Sequence, residues 1–283
     1  MASFTNFATL SYNGGTTNSN IVTGEILEAL TAVKTAVSAN YSAGDRITYA
    51  LSLVNTGTAA ITDYTVTDNL GGYTVGANTV YPLAYNAGTV RYYINGVLQT
   101  APTVTAGPPL TVTGLTVPAG GSAVLIYETT ATPVAPLATG SSITNTATIT
   151  GGGLTTPITA QATVETANSA DLTISKALSP TTVTENGRIT YTFVISNTGN
   201  TEATATGNVV VTDTFAPILR NIAVTYNGTV WTEGTNYTYN AATGVFTTLA
   251  GQITVPAATF TQNTDGTFTV TPGTAALVIT GTV

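Results

Sequence analysis

The chain has 283 residues, of which 43% are hydrophobic and only 7% charged, and its net charge is −7. Phosphate binding needs clustered Lys and Arg, so nucleic acid is not an expected partner; no run is long and apolar enough for a transmembrane helix, so no membrane is expected either. Cys and His are both absent, which removes disulfides, thiol nucleophiles, histidine-based triads and the usual zinc sites. The carboxylates are scattered, with no Asp-rich loop to hold calcium, so neither a metal nor a cofactor is expected.

At the N-terminus, Met1-Ala2-Ser3-Phe4-Thr5-Asn6 has neither the basic nor the apolar segment of a secretion signal. Either such a signal has been removed, or the protein leaves its cell by another route. Residues 4–24 read as a two-stranded hairpin. Residues 25–34 have a faint helical pattern through Ile26, Leu27 and Leu30, but are read as the linker entering the first strand of a domain. Many short strands follow, separated by Gly, Pro and Asn turns, and Ile47, Tyr49, Leu51 and Leu53 alternate with small or polar residues.

The chain then repeats itself. Arg46-Ile47-Thr48-Tyr49 recurs as Arg188-Ile189-Thr190-Tyr191, Asn55-Thr56-Gly57 as Asn197-Thr198-Gly199, and Lys34 as Lys176, all at one spacing. Val66-Thr67-Asp68 recurs as Val211-Thr212-Asp213 after a small insertion. The predicted fold is all-β: two tandem immunoglobulin-like Greek-key sandwiches. Copy one continues through strands at 143–149 and 158–164. Copy two, in which Ala275-Ala276-Leu277-Val278-Ile279 matches the segment Ala123-Val124-Leu125-Ile126, lacks that last hairpin.

A matching hairpin stands at the other end. Residues 4–17 align without gaps on 143–156, half of the positions being identical, with Asn6 on Asn145. A sandwich without its final strands exposes core and an unpaired edge, and a lone hairpin is not stable in water. Each end therefore needs what the other carries. Residues 25–33 reach roughly 30 Å at full extension, too little to span an intervening domain and close the ring on itself. A head-to-tail contact that does not close gives an open filament. The predicted organisation is an N-terminal donor hairpin at 1–25, a complete sandwich at 26–168 and an incomplete acceptor sandwich at 169–283.

Strand alternation also places polar residues in the core. Lys176 shares a face with Leu172 and Ile174. Asp213 lies with Val209, Val211 and Phe215, and Asp68 with Tyr64, Val66 and Leu70. Asn145 lies with Ile143, Ala147 and Ile149, and Asn6 with Phe4, Ala8 and Leu10. Buried and unpaired, each would cost several kcal/mol. Together they are the components of an isopeptide bond: burial favours a neutral, nucleophilic amine and a protonated carboxyl that polarises the Asn amide. The amine attacks, ammonia leaves and a Lys–Asn amide remains. In copy one the trio is Lys34, Asp68 and Asn145. In copy two Lys176 and Asp213 find no Asn, and the matching one is Asn6 of a neighbouring chain. The two lysines are the only lysines of the chain. The alternative is a hydrogen-bonded Lys–Asp pair in each copy that undergoes no reaction.

These motifs, a first-strand Lys followed by Thr48-Tyr49, Asn55-Thr56-Gly57, Val66-Thr67-Asp68 and Asn145-Thr146-Ala147-Thr148, resemble the conserved repeat domain of bacterial surface proteins, a domain of unknown function. The second set is Lys176, Thr190-Tyr191, Asn197-Thr198-Gly199 and Val211-Thr212-Asp213, with Asn6-Phe7-Ala8-Thr9 in the last place. The Lys, Asp and Asn order is similar to that of collagen-adhesin stalk domains, which carry isopeptide bonds. The short chain and its Ala8-Thr9-Leu10-Ser11-Tyr12-Asn13-Gly14 opening most resemble clostridial spore-appendage proteins. That resemblance implies an extracellular fibre subunit assembled on a spore or cell surface, partnered by itself. No sorting motif follows copy two, so attachment would call for a separate anchoring protein.

A second function class is a fragment of a multi-repeat cell-wall adhesin that binds a host or environmental ligand, for which Tyr92-Tyr93 and Tyr237-Thr238-Tyr239 are candidate contacts; aromatic pairs in strands otherwise serve cross-strand packing. An enzyme of the glycosidase type needs paired carboxylates in a cleft, and Glu128, Glu165, Glu202 and Glu233 form no such motif.

Overall fold

The computed structural model describes residues 2–26 and 29–283. Leu27 and Glu28, within the expected linker, lie outside the described residues. An N-terminal hairpin is built from β1 (Ala2–Asn6), β2 (Thr9–Tyr12), β3 (Gly15–Asn18) and β4 (Val22–Ile26). β1 pairs only with β4, and β2 only with β3. The chain divides into two compact units, the hairpin belonging to the first. The first runs to Ala135 and adds Ser142–Glu165; the second joins Pro136–Ser141 to Thr166–Val283.

The first unit contains β5 (Leu30–Ala36), β6 (Asn40–Tyr41), β7 (Arg46–Asn55), β8 (Ile61–Asp68), β9 (Tyr73–Val75), β10 (Asn78–Val80), β11 (Leu83–Tyr85), β12 (Arg91–Ile94), β13 (Val97–Leu98), β14 (Thr103–Thr105), β15 (Leu110–Val117), β16 (Ser122–Ala131), β17 (Ser142–Gly151) and β18 (Ile158–Thr166). One sheet runs β13-β12-β16-β7-β5 with β11 beside β16; the other runs β14-β15-β8-β17-β18-β6. The period-2 pattern explains the layering. On β7, Ile47, Tyr49, Leu51 and Leu53 are buried; on β17, Ile143, Asn145, Ala147 and Ile149 are buried. A bulge on β15 shifts its register against β8 between Val112 and Leu115. Gly114 sits there at φ +73°, a backbone conformation that favours glycine.

The second unit contains β19 (Leu172–Ser179), β20 (Arg188–Asn197), β21 (Thr212–Thr214), β22 (Arg220–Tyr226), β23 (Thr229–Trp231), β24 (Tyr237–Asn240), β25 (Val245–Thr248), β26 (Thr259–Gln262), β27 (Phe268–Thr271) and β28 (Gly273–Thr282). Its larger sheet runs β19-β20-β28-β22-β23 and its smaller one β21-β25-β24. These repeat the two sheets of the first unit, with β19, β20 and β28 in the places of β5, β7 and β16. β21 and β25 stand where β8 and β15 stand. The core gathers Tyr191, Phe193, Phe215, Trp231, Phe246 and Leu277.

The two units differ at one edge. β8 lies between β15 and β17, whereas β21 pairs with β25 alone. Among the described residues of the second unit nothing corresponds to β17 and β18. As a result β19 is exposed along nearly its whole length, while its counterpart β5 buries Leu30 and Lys34.

The Asn-Thr-Gly motif closes both units in the same way. Asn55 accepts from the Gly57 N–H and donates its amide to the carbonyls of Ala59, Val117 and Pro118. Asn197 accepts from Gly199 and Asp171 and donates to Thr201 and Pro256. Each Asn thus satisfies backbone groups at the sandwich end that have no ladder partner.

Candidate functional site

The first unit brings Lys34, Asp68 and Asn145 into one core region from three strands. Lys34 points inward from β5 of one sheet, and Asp68 ends β8 of the other. Their charged atoms, Lys34 Nζ and Asp68 Oδ2, lie 2.5 Å apart, and the two side chains are 0% and 1% exposed. The Tyr127 hydroxyl donates to the same Asp68 oxygen. The Leu70 backbone N–H donates to Asp68 Oδ1 at 3.0 Å. Asp68 is opposite Ala147 on β17. Asn145 is two residues from Ala147 on the same face, so it is a diagonal neighbour of Asp68, within roughly 8 Å by strand geometry. The Asn145 side chain is fully buried, and neither atom of its amide has a hydrogen-bond partner.

Two tyrosines complete the site. Tyr49 on β7 and Tyr127 on β16 face each other across the ladder, and their rings stack at 5.8 Å. Lys34 Nζ lies 4.8 Å from the Tyr49 ring centroid and 5.8 Å from that of Tyr127. Burial pulls the Lys34 ammonium down to a pKa of about 8, against the opposing pull of the Asp68 charge and hydrogen bond. Burial and the nearby Asp68 charge push the Tyr49 and Tyr127 hydroxyls well up, opposed by the neighbouring Asn145 side chain. The site therefore holds a partly deprotonated amine, a carboxylate that can take its proton and an unsolvated carboxamide. The sequence reading gave Tyr49 a place in a motif but no role, and passed over Tyr127. The available signal was the alternation Ala123, Leu125, Tyr127 on β16, which aims the Tyr127 ring at the same interior.

In the second unit Lys176 and Asp213 make the same contact, also at 2.5 Å, but the side chains are 41% and 17% exposed. Lys176 shares the face of Leu172 and Ile174 as its alternation requires, yet this face is open rather than buried, because the unit has no strands in the places of β17 and β18. Lys176 Nζ lies 4.6, 5.4 and 5.5 Å from the rings of Tyr191, Phe193 and Phe215. Tyr191 takes the place of Tyr49. The place of Tyr127 is taken by Ile279, which is paired with Tyr191. No Asn of the described second unit occupies the position of Asn145.

Asn6 sits in the N-terminal hairpin opposite Val22. The hairpin is exposed on both strands: Phe4 is 54%, Leu10 63% and Tyr12 62% exposed. The tyrosines considered as ligand contacts are largely structural. Tyr92 and Tyr237 are core residues, and the Tyr92 hydroxyl accepts the Thr116 N–H at 2.8 Å. The Tyr239 hydroxyl donates to the Leu219 carbonyl at 2.8 Å.

No protein-family model matches the sequence, and no curated protein matches it. Solved structures with a similar course of chain include the major pilin subunit of Bacillus cereus, 14% identical over 96% of this chain and 73% of the pilin, at a TM-score of 0.35. The pilus backbone protein of Streptococcus pneumoniae is 14% identical over 86% of this chain at a TM-score of 0.36, and the alignment spans 55% of the pneumococcal chain. A collagen-binding domain of a Staphylococcus aureus adhesin is 11% identical over 49% of this chain and 99% of that domain, at a TM-score of 0.30. The all-β fold rests on the strands themselves.

Proposed function

We propose that this chain is a structural subunit of an extracellular filament on a spore or cell surface, in which the hairpin of one copy completes the open sandwich of the next. One observation carries the reading. A single chain holds both an exposed apolar hairpin whose first arm and turn match β17 and its turn in sequence and a sandwich whose β21 edge is unpaired where β17 would lie.

The hairpin would add to β21 in the register that β17 keeps with β8. Ala8 would then face Asp213, and Leu10 would face Val211. Backbone hydrogen bonds and alternate apolar side chains would supply the affinity. The same addition would cover Lys176 and bring Asn6 to it as Asn145 is brought to Lys34. In both sites the Lys amine attacks the Asn Cγ, the Cγ–Nδ2 bond breaks and ammonia leaves. The reaction turns over once, so the chain modifies itself and acts on no other substrate. Water screening at the exposed Lys176–Asp213 pair keeps that site unreactive until the hairpin arrives.

The test is a denaturing gel of protein boiled in SDS, beside an Asn6→Ala variant, with electron microscopy of the unboiled samples. The expected result is a ladder of multimers that vanishes in the variant, while filaments remain visible in both. A single monomer band together with a field free of filaments would overturn the reading. Filaments without a ladder would leave strand addition standing and remove the covalent joint.

A further inference from the structure

The Lys34–Asp68–Asn145 site contains more polar atoms than the bond-forming trio uses, and their pairing is uneven. Asp68 accepts three hydrogen bonds: Oδ2 accepts from Lys34 and Tyr127, and Oδ1 accepts from the Leu70 N–H. Three donors thus face Asp68, and the one proton that it takes from Lys34 is the proton it returns to the leaving ammonia. The Asn145 amide oxygen, which gains negative charge when the amine attacks, therefore needs another donor. The Tyr127 hydroxyl is committed to Asp68. The Tyr49 hydroxyl is buried beside the same cluster with the Asn145 side chain as a polar neighbour, and it makes no hydrogen bond of normal geometry. Tyr64 is the other tyrosine with an unpartnered buried hydroxyl among the described residues. It is placed further along β8, opposite Gly151 rather than near Asn145.

From these pairings we infer that the Tyr49 hydroxyl is the hydrogen-bond donor to the Asn145 carboxamide oxygen during bond formation, and that Tyr191 does the same at the joint between chains. The inference rests on the isopeptide reading above and deepens it. Lys34 passes a proton to Asp68 Oδ2, and the neutral amine adds to Asn145 Cγ. The carbonyl π pair moves onto Oδ1, which the Tyr49 O–H stabilises. A proton from the new ammonium moves to Nδ2, the Cγ–Nδ2 bond breaks, and ammonia leaves, taking up the proton held by Asp68. Tyr49 and Asp68 end as they began.

A comparison of the two sites supports this assignment. Tyr127 has no counterpart in the second unit, where Ile279 stands in its place, whereas Tyr49 is matched by Tyr191. A role needed in both sites falls on the tyrosine that both sites share. The Tyr49 ring itself is held by stacking on Tyr127, so the hydroxyl can be removed without removing the ring.

The experiment compares the full chain with its Tyr49→Phe variant. Intact-mass spectra are recorded at intervals after rapid purification and over a range of pH, to count ammonia lost at the Lys34 site. Removing one preorganised donor to a developing oxyanion costs on the order of a hundredfold in rate. The original chain is expected to be fully reacted, and the variant to lose ammonia about a hundredfold more slowly. The variant's rate should still rise with pH around 8, where Lys34 releases its proton. Ammonia loss at the original rate in the variant would overturn the inference and leave the isopeptide reading intact. A slow variant whose pH midpoint has moved toward the ordinary lysine range would also overturn it, since Tyr49 would then only keep water from Lys34. No ammonia loss even in the original chain would remove the isopeptide reading and the inference together. Should Tyr49→Phe fail to fold, the readout moves to the joint. A Tyr191→Phe, Asn6→Ala acceptor is mixed with a Lys176→Ala donor, and covalent dimer is followed on a denaturing gel against an acceptor that keeps Tyr191. A comparable slowing supports the inference, and equal rates overturn it.

Discussion

Lys34 and Asn145 sit in the core of the first unit at opposite extremes of partnership. Lys34 is bonded, ringed by aromatic faces and held at a pKa of about 8 against an ordinary 10.5. Asn145 has both amide atoms idle. If the two are joined, Lys34 no longer titrates; if Asn145 is replaced by Ala, it must. In Asn145→Ala the folded chain releases the Lys34 proton near 8 while the unfolded chain keeps it to about 10.5. Between these values the unfolded state binds more protons, so stability rises with pH. The buried Tyr49 and Tyr127 act in the opposite sense. Unfolded, they ionise near 10; folded, they hold their protons higher, so stability falls again above about 10. Urea midpoints of Asn145→Ala should therefore climb from pH 8 to about 10, by up to about 3 kcal/mol in stability, and decline beyond. The parent chain should lack the climb. A flat Asn145→Ala profile would mean that Lys34 is not desolvated.

Asn55 and Asn197 are buried polar residues of a different kind, with their hydrogen-bonding capacity committed to backbone groups at the end of each sandwich. Asn197→Ala would leave the Thr201 and Pro256 carbonyls and the Gly199 and Asp171 N–H groups unpaired. Stranded buried groups cost about 1–3 kcal/mol, and a loss of roughly 3 kcal/mol in the second unit's denaturation is expected. This holds whether or not any cross-link forms, which separates the structural Asn residues from those proposed to react.

At the level of elements, the informative comparison is β8 with β21. They carry the same Val-Thr-Asp motif and pair in the same way with β15 and β25, yet only β8 has a neighbour on its other side. Lys176 is exposed for that reason and not because its own strand is out of phase. Strand addition in the register of β17 on β8, where Thr148 faces Thr67, would set Thr9 of one copy opposite Thr212 of the next. The chain has no native cysteine, so a Thr9→Cys, Thr212→Cys double variant offers a clean test. Under oxidising conditions it should form a ladder that collapses on reduction, even in an Asn6→Ala background. A Thr9→Cys, Thr214→Cys control should form far less. Equal ladders in both would argue against a fixed register.

For the molecule as a whole, the composition is the governing fact. Only 7% of residues are charged, so little of any contact between copies can be electrostatic. The hairpin offers Phe4, Phe7, Leu10, Tyr12, Ile21 and Val22, each more than half exposed. Such apolar surface is left uncovered when an interaction site is unfilled. Filament growth followed by light scattering should change little with added sodium chloride and should be strengthened by sulfate, which is excluded from apolar surface. Strong inhibition by moderate sodium chloride would show that charge, not apolar burial, joins the copies.

Much of this was legible before any coordinates. Strand periodicity is strict, so the face on which Lys34, Asp68, Asn145, Lys176 and Asp213 lie follows from counting by twos. The internal repeat places the two units in correspondence, and the Thr-, Val- and Gly-rich composition with scattered turn residues makes the fold all-β. What periodicity does not determine is whether a face is covered, because the covering strands lie far away along the chain. Only the packed sheets decide that Lys34 is sealed while Lys176 is open. In the same way, only the pairing of β7 with β16 brings Tyr127 to Asp68. Only the full set of hydrogen bonds shows which buried groups, Tyr49 and Asn145 among them, are left without partners: an unmet bond is a property of everything that surrounds an atom, and the local sequence carries none of those surroundings.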